Sequence, residues 1–228
     1  KDLNTWFSDQ FVCRDQNIHI KYLIQKTFGV KEIQDIFLTK QGLIEKTAKP
    51  NKEQLERNLN AINTFKQNYP ELNVGFVTAP NAVSIKKEYL PKYAVTLNQD
   101  KQIDNIYSKL DDSIVKIDLR NTLKKHKDEY LYYKTDHHWT SLASYYAYQD
   151  IAKTFNLETT KQSDYTIYPV TTNFEGTLAN KTGSVNIKDE IDIYVPKDKC
   201  DYVITDESTN KKSRTIYHSD ALETKDQY

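Results

Sequence analysis

The sequence predicts an α/β fold: a three-layer sandwich around a largely parallel sheet, with a β-rich addition at the carboxyl end. Three observations lead there. Short strand-like runs alternate with amphipathic helical stretches as far as residue 156. One of those runs, Leu72–Ala79 (LNVGFVTA), is nearly continuous in apolar residues, the pattern of a strand buried on both faces. From about residue 160 the pattern changes to alternating apolar and polar residues with turn-rich gaps, the period of half-exposed strands. With 228 residues the chain is long enough for one sizeable domain. Residues 1–228 read as a single domain, within which 160–228 form a β-rich insertion or rim.

In the first segment, Trp6 to Phe28, Ile20, Leu23, Ile24 and Phe28 recur at helical spacing, and Gly29 supplies the stop. Two short strands, Ile33–Leu38 and Leu43–Glu45, flank a turn at Lys40-Gln41-Gly42 and read as a hairpin. Asn51 with Gln54 has the spacing of a capping box. Leu55, Leu59, Ile62 and Phe65 then form one apolar stripe that ends before Pro70. Pro80-Asn81 closes the Leu72–Ala79 strand at its carboxyl end, where α/β folds place binding loops.

Asp100–Leu110 is a second amphipathic helix, Ile114–Asp118 a short strand, and Leu119–Lys127 a basic helix. Leu131–Tyr133 reads as another short strand, after which Thr140 caps a helix running to about Phe155. Tyr165–Val170, Ile191–Val195, Tyr202–Ile204 and Arg214–Tyr217 supply the alternating strands of the carboxyl-terminal part.

Composition narrows the function classes. The 32 basic and 32 acidic residues balance, which gives no electrostatic reason for a nucleic-acid or anionic-membrane partner. No stretch approaches the ~20 apolar residues of a membrane span, and mean hydropathy is −0.77. Tyr is over-used, with 17 residues; the phenol ring suits sugar-contacting surfaces, but codon bias and ordinary half-buried strand positions are the better account of it. Cys13 and Cys200 lie far apart with no CxxC, compatible with one long-range disulfide or with two thiols.

The densest chemical cluster is Tyr132-Tyr133-Lys134-Thr135-Asp136-His137-His138-Trp139-Thr140. On an extended segment alternate residues share a face, so Asp136 and His138 reach one pocket while His137 points away. Asp136 can then orient the His138 ring and favour its protonated form, the orienter–base half of a hydrolytic triad. Read from the residues alone, a structural Asp–His pair fits equally well. Trp139 walls the site, Tyr132 and Tyr133 straddle the strand so that one can face substrate, and Asn81 can line the pocket from the strand end. A metal site of Asp136, His137 and His138 is disfavoured, because adjacent side chains diverge and no HExxH or facial-triad spacing completes a shell. Arg14 and Asp15 read as a helix-start ion pair, and Lys124-Lys125-His126-Lys127 as a solvated helix end.

YKTDHHWT resembles the signature of DHHW proteins, which belong with the SGNH-hydrolase-like proteins that acetylate exported polysaccharides, including the alginate O-acetylation factors. The resemblance runs along the chain in order through FSDQFVCRD, KEIQDIFLTKQGLIEK, APNAVSIKKEYLP and NFEGTLANKTGS. It implies an SGNH-like sandwich. It also implies an extracytoplasmic O-acyltransferase that acetylates a cell-wall or exported polysaccharide, with Asp136 and His138 catalytic and Asn81, Tyr133, His137 and Trp139 at the substrate. Neither a metal nor an organic cofactor is implied. Implied partners are the polysaccharide acceptor, an acyl donor and a membrane-bound acyltransferase. The implied location is the cell surface or secreted space, with anchoring by a segment ahead of Lys1.

In such proteins the nucleophilic serine lies in a D-S-[YF]-type turn after a Gly-Gly-Asn segment. Neither occurs here, and the chain stops at ETKDQY, so a truncated domain with its serine elsewhere is expected. Ser84, Ser141 and Ser144 lack the Gly-x-Ser-x-Gly setting that lifts a hydroxyl into a strained, exposed turn. The same dyad would serve a carbohydrate esterase, with water as the second acceptor, and a non-catalytic glycan-binding surface protein is a third reading.

Overall fold

Hydrophobic periodicity places α1 at Arg14–Thr27, α2 at Lys52–Asn68, α4 at Gln99–Tyr107 and α6 at Ser141–Thr154 in the computed structural model, which describes residues 13–198 and 202–214. A parallel pair, β4 (Gly75–Thr78) and β5 (Val115–Asp118), forms the middle layer, with Val77 opposite Ile117. On one face, Phe76 packs with Leu55, Leu59 and Ile62 of α2 and Ile106 and Tyr107 of α4. On the other, Ile117 joins Ala143 and Ala147 of α6, and Phe155 lies so close to Gly75 that a Cβ there would sit 2.6 Å from its ring. This is the three-layer α/β arrangement expected.

The strand at 72–79 differs from expectation. It is shorter, and Val77 is 40% exposed, because the parallel sheet is two strands wide among the described residues and β4 therefore lies at an edge. The apolar stripe of α1 is also not where the pattern puts the core. Ile20, Leu23 and Ile24 are exposed and Tyr22 is the buried residue, because the helix contacts the rest of the fold through its Tyr22 side.

A three-stranded antiparallel sheet, β1 (Glu32–Ile33), β2 (Ile36–Thr39) and β3 (Gly42–Glu45), contains the expected hairpin. Gly42 turns it at φ +125°, and a Cβ there would meet the Lys134 backbone at 2.7 Å, so only glycine lets this tip approach Lys134. Asn51 caps α2 by accepting from Gln54 N at 3.0 Å; the Gln54 side-chain oxygen accepts from Arg57 at 2.7 Å instead of closing the box.

Between β4 and α4 lie the short helix α3 (Ala82–Ile85) and a 3-10 turn at Lys87–Tyr89. After β5, the short α5 (Arg120–Lys125) carries Arg120 back onto Asp118 and Asp104 at 2.6 and 2.7 Å. The basic run at 124–127 is paired rather than merely solvated: Lys124 meets Asp100, His126 meets Glu129 and stacks on Tyr146, and Lys127 meets Glu88.

The carboxyl-terminal region is an antiparallel ribbon, β6 (Tyr165–Phe174) with β7 (Asp189–Pro196), whose connection holds α7 (Thr177–Thr182). A small pair follows, β8 (Ile204–Thr205) with β9 (Lys212–Ser213). The strand expected at 214–217 is not formed at Arg214, and its remaining residues lie outside the described ones, as do the FSDQFV part of the amino-terminal segment and Cys200. Cys13 is an exposed thiol. Among the described residues no helix is long and apolar enough to cross a membrane.

Candidate active site

Leu131–Tyr133 is not a strand but one arm of a tight hairpin. Tyr132 pairs with Trp139 in an isolated antiparallel bridge, Tyr133 N donates to His138 O at 3.2 Å, and Thr140 N to Leu131 O at 2.9 Å. Residues 134–137 are its tip. The arms are fixed because Leu131 and Tyr132 are buried against α6, and the Tyr132 hydroxyl donates to Pro80 O at 2.5 Å. That bond ties the hairpin to the carboxyl end of β4. Thr140 stands at the start of α6 as expected, but its hydroxyl donates to Tyr130 O and does not cap the helix.

The tip is held from the ribbon. Asp189 at the start of β7 is buried and accepts from Lys134 N at 2.8 Å, Thr135 N at 2.7 Å, Thr135 Oγ1 at 2.5 Å and the Tyr130 hydroxyl. A carboxylate buried this deeply is sustained only by such a set of donors. Thr135 passes the constraint on: its Oγ1 accepts from Gly176 N at 2.9 Å, and its carbonyl accepts from Leu178 N and Ala179 N. Thr135 O thus satisfies two of the first N–H groups of α7, which no intrahelical carbonyl could reach.

Asp136 sits between these elements with a fully buried side chain. Its Oδ2 accepts from Thr177 N and Thr177 Oγ1, both at 2.8 Å. Its Oδ1 lies 3.1 Å from His138 N and 2.6 Å from His138 Nδ1. Gly176 is the residue that permits this: a Cβ there would fall 2.6 Å from Asp136 Oδ2 and 2.7 Å from Thr135 O. Burial pushes the Asp136 carboxyl up, but the hydrogen bonds from Thr177 and His138 together outweigh it, and it sits below the ordinary aspartate range.

The electrostatics select a tautomer. An ionised carboxylate only accepts, so His138 Nδ1 carries the proton toward Asp136, and the neutral ring keeps its lone pair on Nε2, at the opposite edge. The His138 side chain is 48% exposed. An imidazole oriented in this way, with a charged partner behind it, has the arrangement that general-base chemistry requires.

The structure brings Asp136 and His138 together as expected, through the turn at the tip rather than through alternation along a strand. His137 does not point away. The turn swings its ring to 4.0 Å from the His138 ring, with Nδ1 3.5 Å from Asp136 Oδ1 and 3.1 Å from Thr177 Oγ1. Three side chains of types that can bind a metal therefore converge, their donor atoms all within 4.8 Å of one another.

Tyr133 is corrected: it is buried at 5% exposure against Phe174 and Ile191, so its ring belongs to the ribbon's core and cannot face a substrate. Trp139 is half-buried against the α6 core beside the hairpin. Asn81 is exposed, one residue after the Pro80 carbonyl that Tyr132 reaches. Ser84 Oγ donates to Asp100 and Ser141 Oγ to Asp192 O, so neither directs its hydroxyl proton to His138. Reading the sequence missed Asp189 and Thr177. The only signal for Thr177 is the Gly-Thr pair opening a short apolar helix; Asp189 has none, since an acidic residue at a strand start is ordinary.

Residues 36–222 match the family model described as an SGNH hydrolase-like domain, acetyltransferase AlgX. Among solved structures, Bacillus cereus PatB1 with a sulfonyl adduct superposes at TM-score 0.64 and 19% identity, over 79% of this chain and 63% of that one. A DHHW family protein from Eubacterium siraeum gives 0.62 and 23%, over 71% and 54%. The O-acetyltransferase domain of Pseudomonas putida AlgJ gives 0.55 and 19%, over 72% and 66%. The chain thus spans less than two thirds of the length of the first two. Among curated protein sequences, none matches. The fold is SGNH-hydrolase-like, and with the model covering most of its length the chain belongs to the AlgX family of SGNH hydrolase-like acetyltransferase domains.

Proposed function

We propose that this chain supplies the acid–base half of an extracytoplasmic O-acetyltransferase acting on a cell-wall or exported polysaccharide, with the nucleophilic serine outside the chain. The observation that carries the reading is the 2.6 Å contact between His138 Nδ1 and a buried Asp136 whose other oxygen is clamped by Thr177. Family membership supports acetyl transfer, and the committed hydroxyls of Ser84 and Ser141 support a nucleophile from elsewhere.

In the first half-reaction the serine proton passes to His138 Nε2 as the serine oxygen bonds to the acyl carbon, and Asp136 stabilises the imidazolium. The imidazolium returns the proton to the leaving group as that bond breaks. A sugar hydroxyl next loses its proton to the same Nε2 while attacking the acyl-serine, and the serine oxygen takes the proton back. A membrane-bound acyltransferase is the partner proposed to bring acetyl groups across the membrane. The test uses a longer protein that includes the serine segment, incubated with an acetyl ester and oligosaccharide acceptors. Acetylated oligosaccharide, lost in His138→Ala, supports transfer. Acetate release with no glycan acetylation would instead favour an esterase.

A further inference from the structure

The expectation that no metal binds the signature segment rested on adjacent histidines diverging, and the hairpin tip removes that premise. We propose that Asp136, His137 and His138 form a site for a divalent transition-metal ion of the zinc type, and that a bound ion switches the dyad off.

The geometry carries the binding. His138 Nδ1 and His137 Nδ1 both face Asp136 Oδ1, at 2.6 and 3.5 Å. Two donors sharing a tetrahedral zinc with bonds of about 2.0–2.1 Å are separated by about 3.3 Å, so small ring rotations seat an ion among the three. Two imidazoles and one carboxylate suit zinc, copper or nickel better than magnesium or calcium. Thr177 N and Oγ1 hold the remaining carboxylate oxygen, the outer-sphere support that fixes a metal-ligating carboxylate. The His137 and His138 side chains are 42% and 48% exposed, which leaves the ion a way in and a coordination position for water.

The switch rests on the acyl-transfer reading. An ion on His138 Nδ1 stands where the proton shared with Asp136 stands now. The neutral ring must then carry its proton on Nε2, and an N–H there can only donate. It cannot take the proton of a serine or a sugar hydroxyl, so both half-reactions stop.

The test titrates zinc alone into the metal-stripped chain by calorimetry, with Cys13→Ser and Cys200→Ser introduced to remove thiol ligands. One equivalent is expected, with affinity weakened at least tenfold in His137→Ala. His137→Gln, with thermal melts of both variants, guards against misfolding. Cobalt in place of zinc should give visible absorption bands that vanish in the same variants. Absence of a one-equivalent site, or affinity unchanged in folded His137 variants, overturns the site. In a longer protein that turns over an acetyl ester, zinc should inhibit with the calorimetric midpoint and a chelator should restore the rate. Binding without inhibition there overturns the switch alone. Binding in a protein with no turnover leaves the metal site standing and counts against the acyl-transfer reading.

Discussion

Thr177 and Asp136, 41 residues apart, are joined by two hydrogen bonds of 2.8 Å, one from the Thr177 backbone N–H and one from its hydroxyl. The first residue of α7 thereby fixes the carboxylate that orients His138. Thr177→Val keeps the backbone donor and the side-chain shape but removes the hydroxyl. A lost hydrogen bond to a charged group is worth about 1.5–3 kcal/mol, so kcat for acetyl-ester turnover should fall about tenfold or more. Thr177→Ser should restore most of it. An unchanged rate in Thr177→Val would show that the hydroxyl does not position Asp136.

Asp136→Asn preserves volume and removes the charge. The amide can offer its N–H₂ toward His138, which forces the ring proton onto Nε2 and leaves no base. kcat should drop by roughly 10²–10⁴ with KM nearly unchanged, the effect of reversing the tautomer in triad enzymes. Steady-state kinetics separate this from a binding defect, in which KM would rise while kcat held.

Asp189 tests the scaffold instead of the chemistry. Replacing it with Asn leaves Tyr130, Lys134 N and the two Thr135 donors facing a neutral group with half the acceptor capacity. A loss of about 2–4 kcal/mol in unfolding free energy is expected, measured by urea titration with the m-value unchanged. A loss below about 0.5 kcal/mol would mean the ribbon does not hold the hairpin tip.

The Arg120 guanidinium beside Asp118 holds that carboxyl below the ordinary range, against a smaller opposing effect of burial. A carboxyl depressed in the folded state adds stability that is fully present above its unfolded value, near 3.8, and is lost as pH falls through the lower folded value. Asp118→Asn should therefore cost about 1–2 kcal/mol at pH 7, allowing for the partial exposure of the pair. The gap between variant and parent should begin to narrow near pH 3.8 and close only below the depressed folded value. Thermal melts across pH 2–7 check it, and a gap independent of pH would rule out the ion pair as its cause.

The legible parts of the fold are those with strong local signals. The Asn51 cap, the β2–β3 hairpin and the α2 stripe follow from residues a few positions apart. Local patterns misled where tertiary context decides. The Leu72–Ala79 run looks doubly buried, but Val77 is exposed because the sheet is narrow there. Ile20, Leu23 and Ile24 line one helix face that turns outward. At the site, Asp136 and His138 could be named from the signature, whereas their supports could not. Thr177 and Asp189 come from segments 41 and more residues away, and their role exists only once β6, β7 and α7 fold back onto residues 134–136. His137 turns toward His138 because the segment is a turn, and extended-chain alternation does not hold in a turn.

The most direct test of the central claim is the rate of acetyl-ester turnover by the longer protein, compared with its His138→Ala variant at matched fold stability. Turnover is expected in the parent, with a loss of about 10³-fold or more in the variant, the share a positioned base and its charge partner contribute. Equal rates in the two proteins, with the variant folded, would contradict the assignment of His138 as the base.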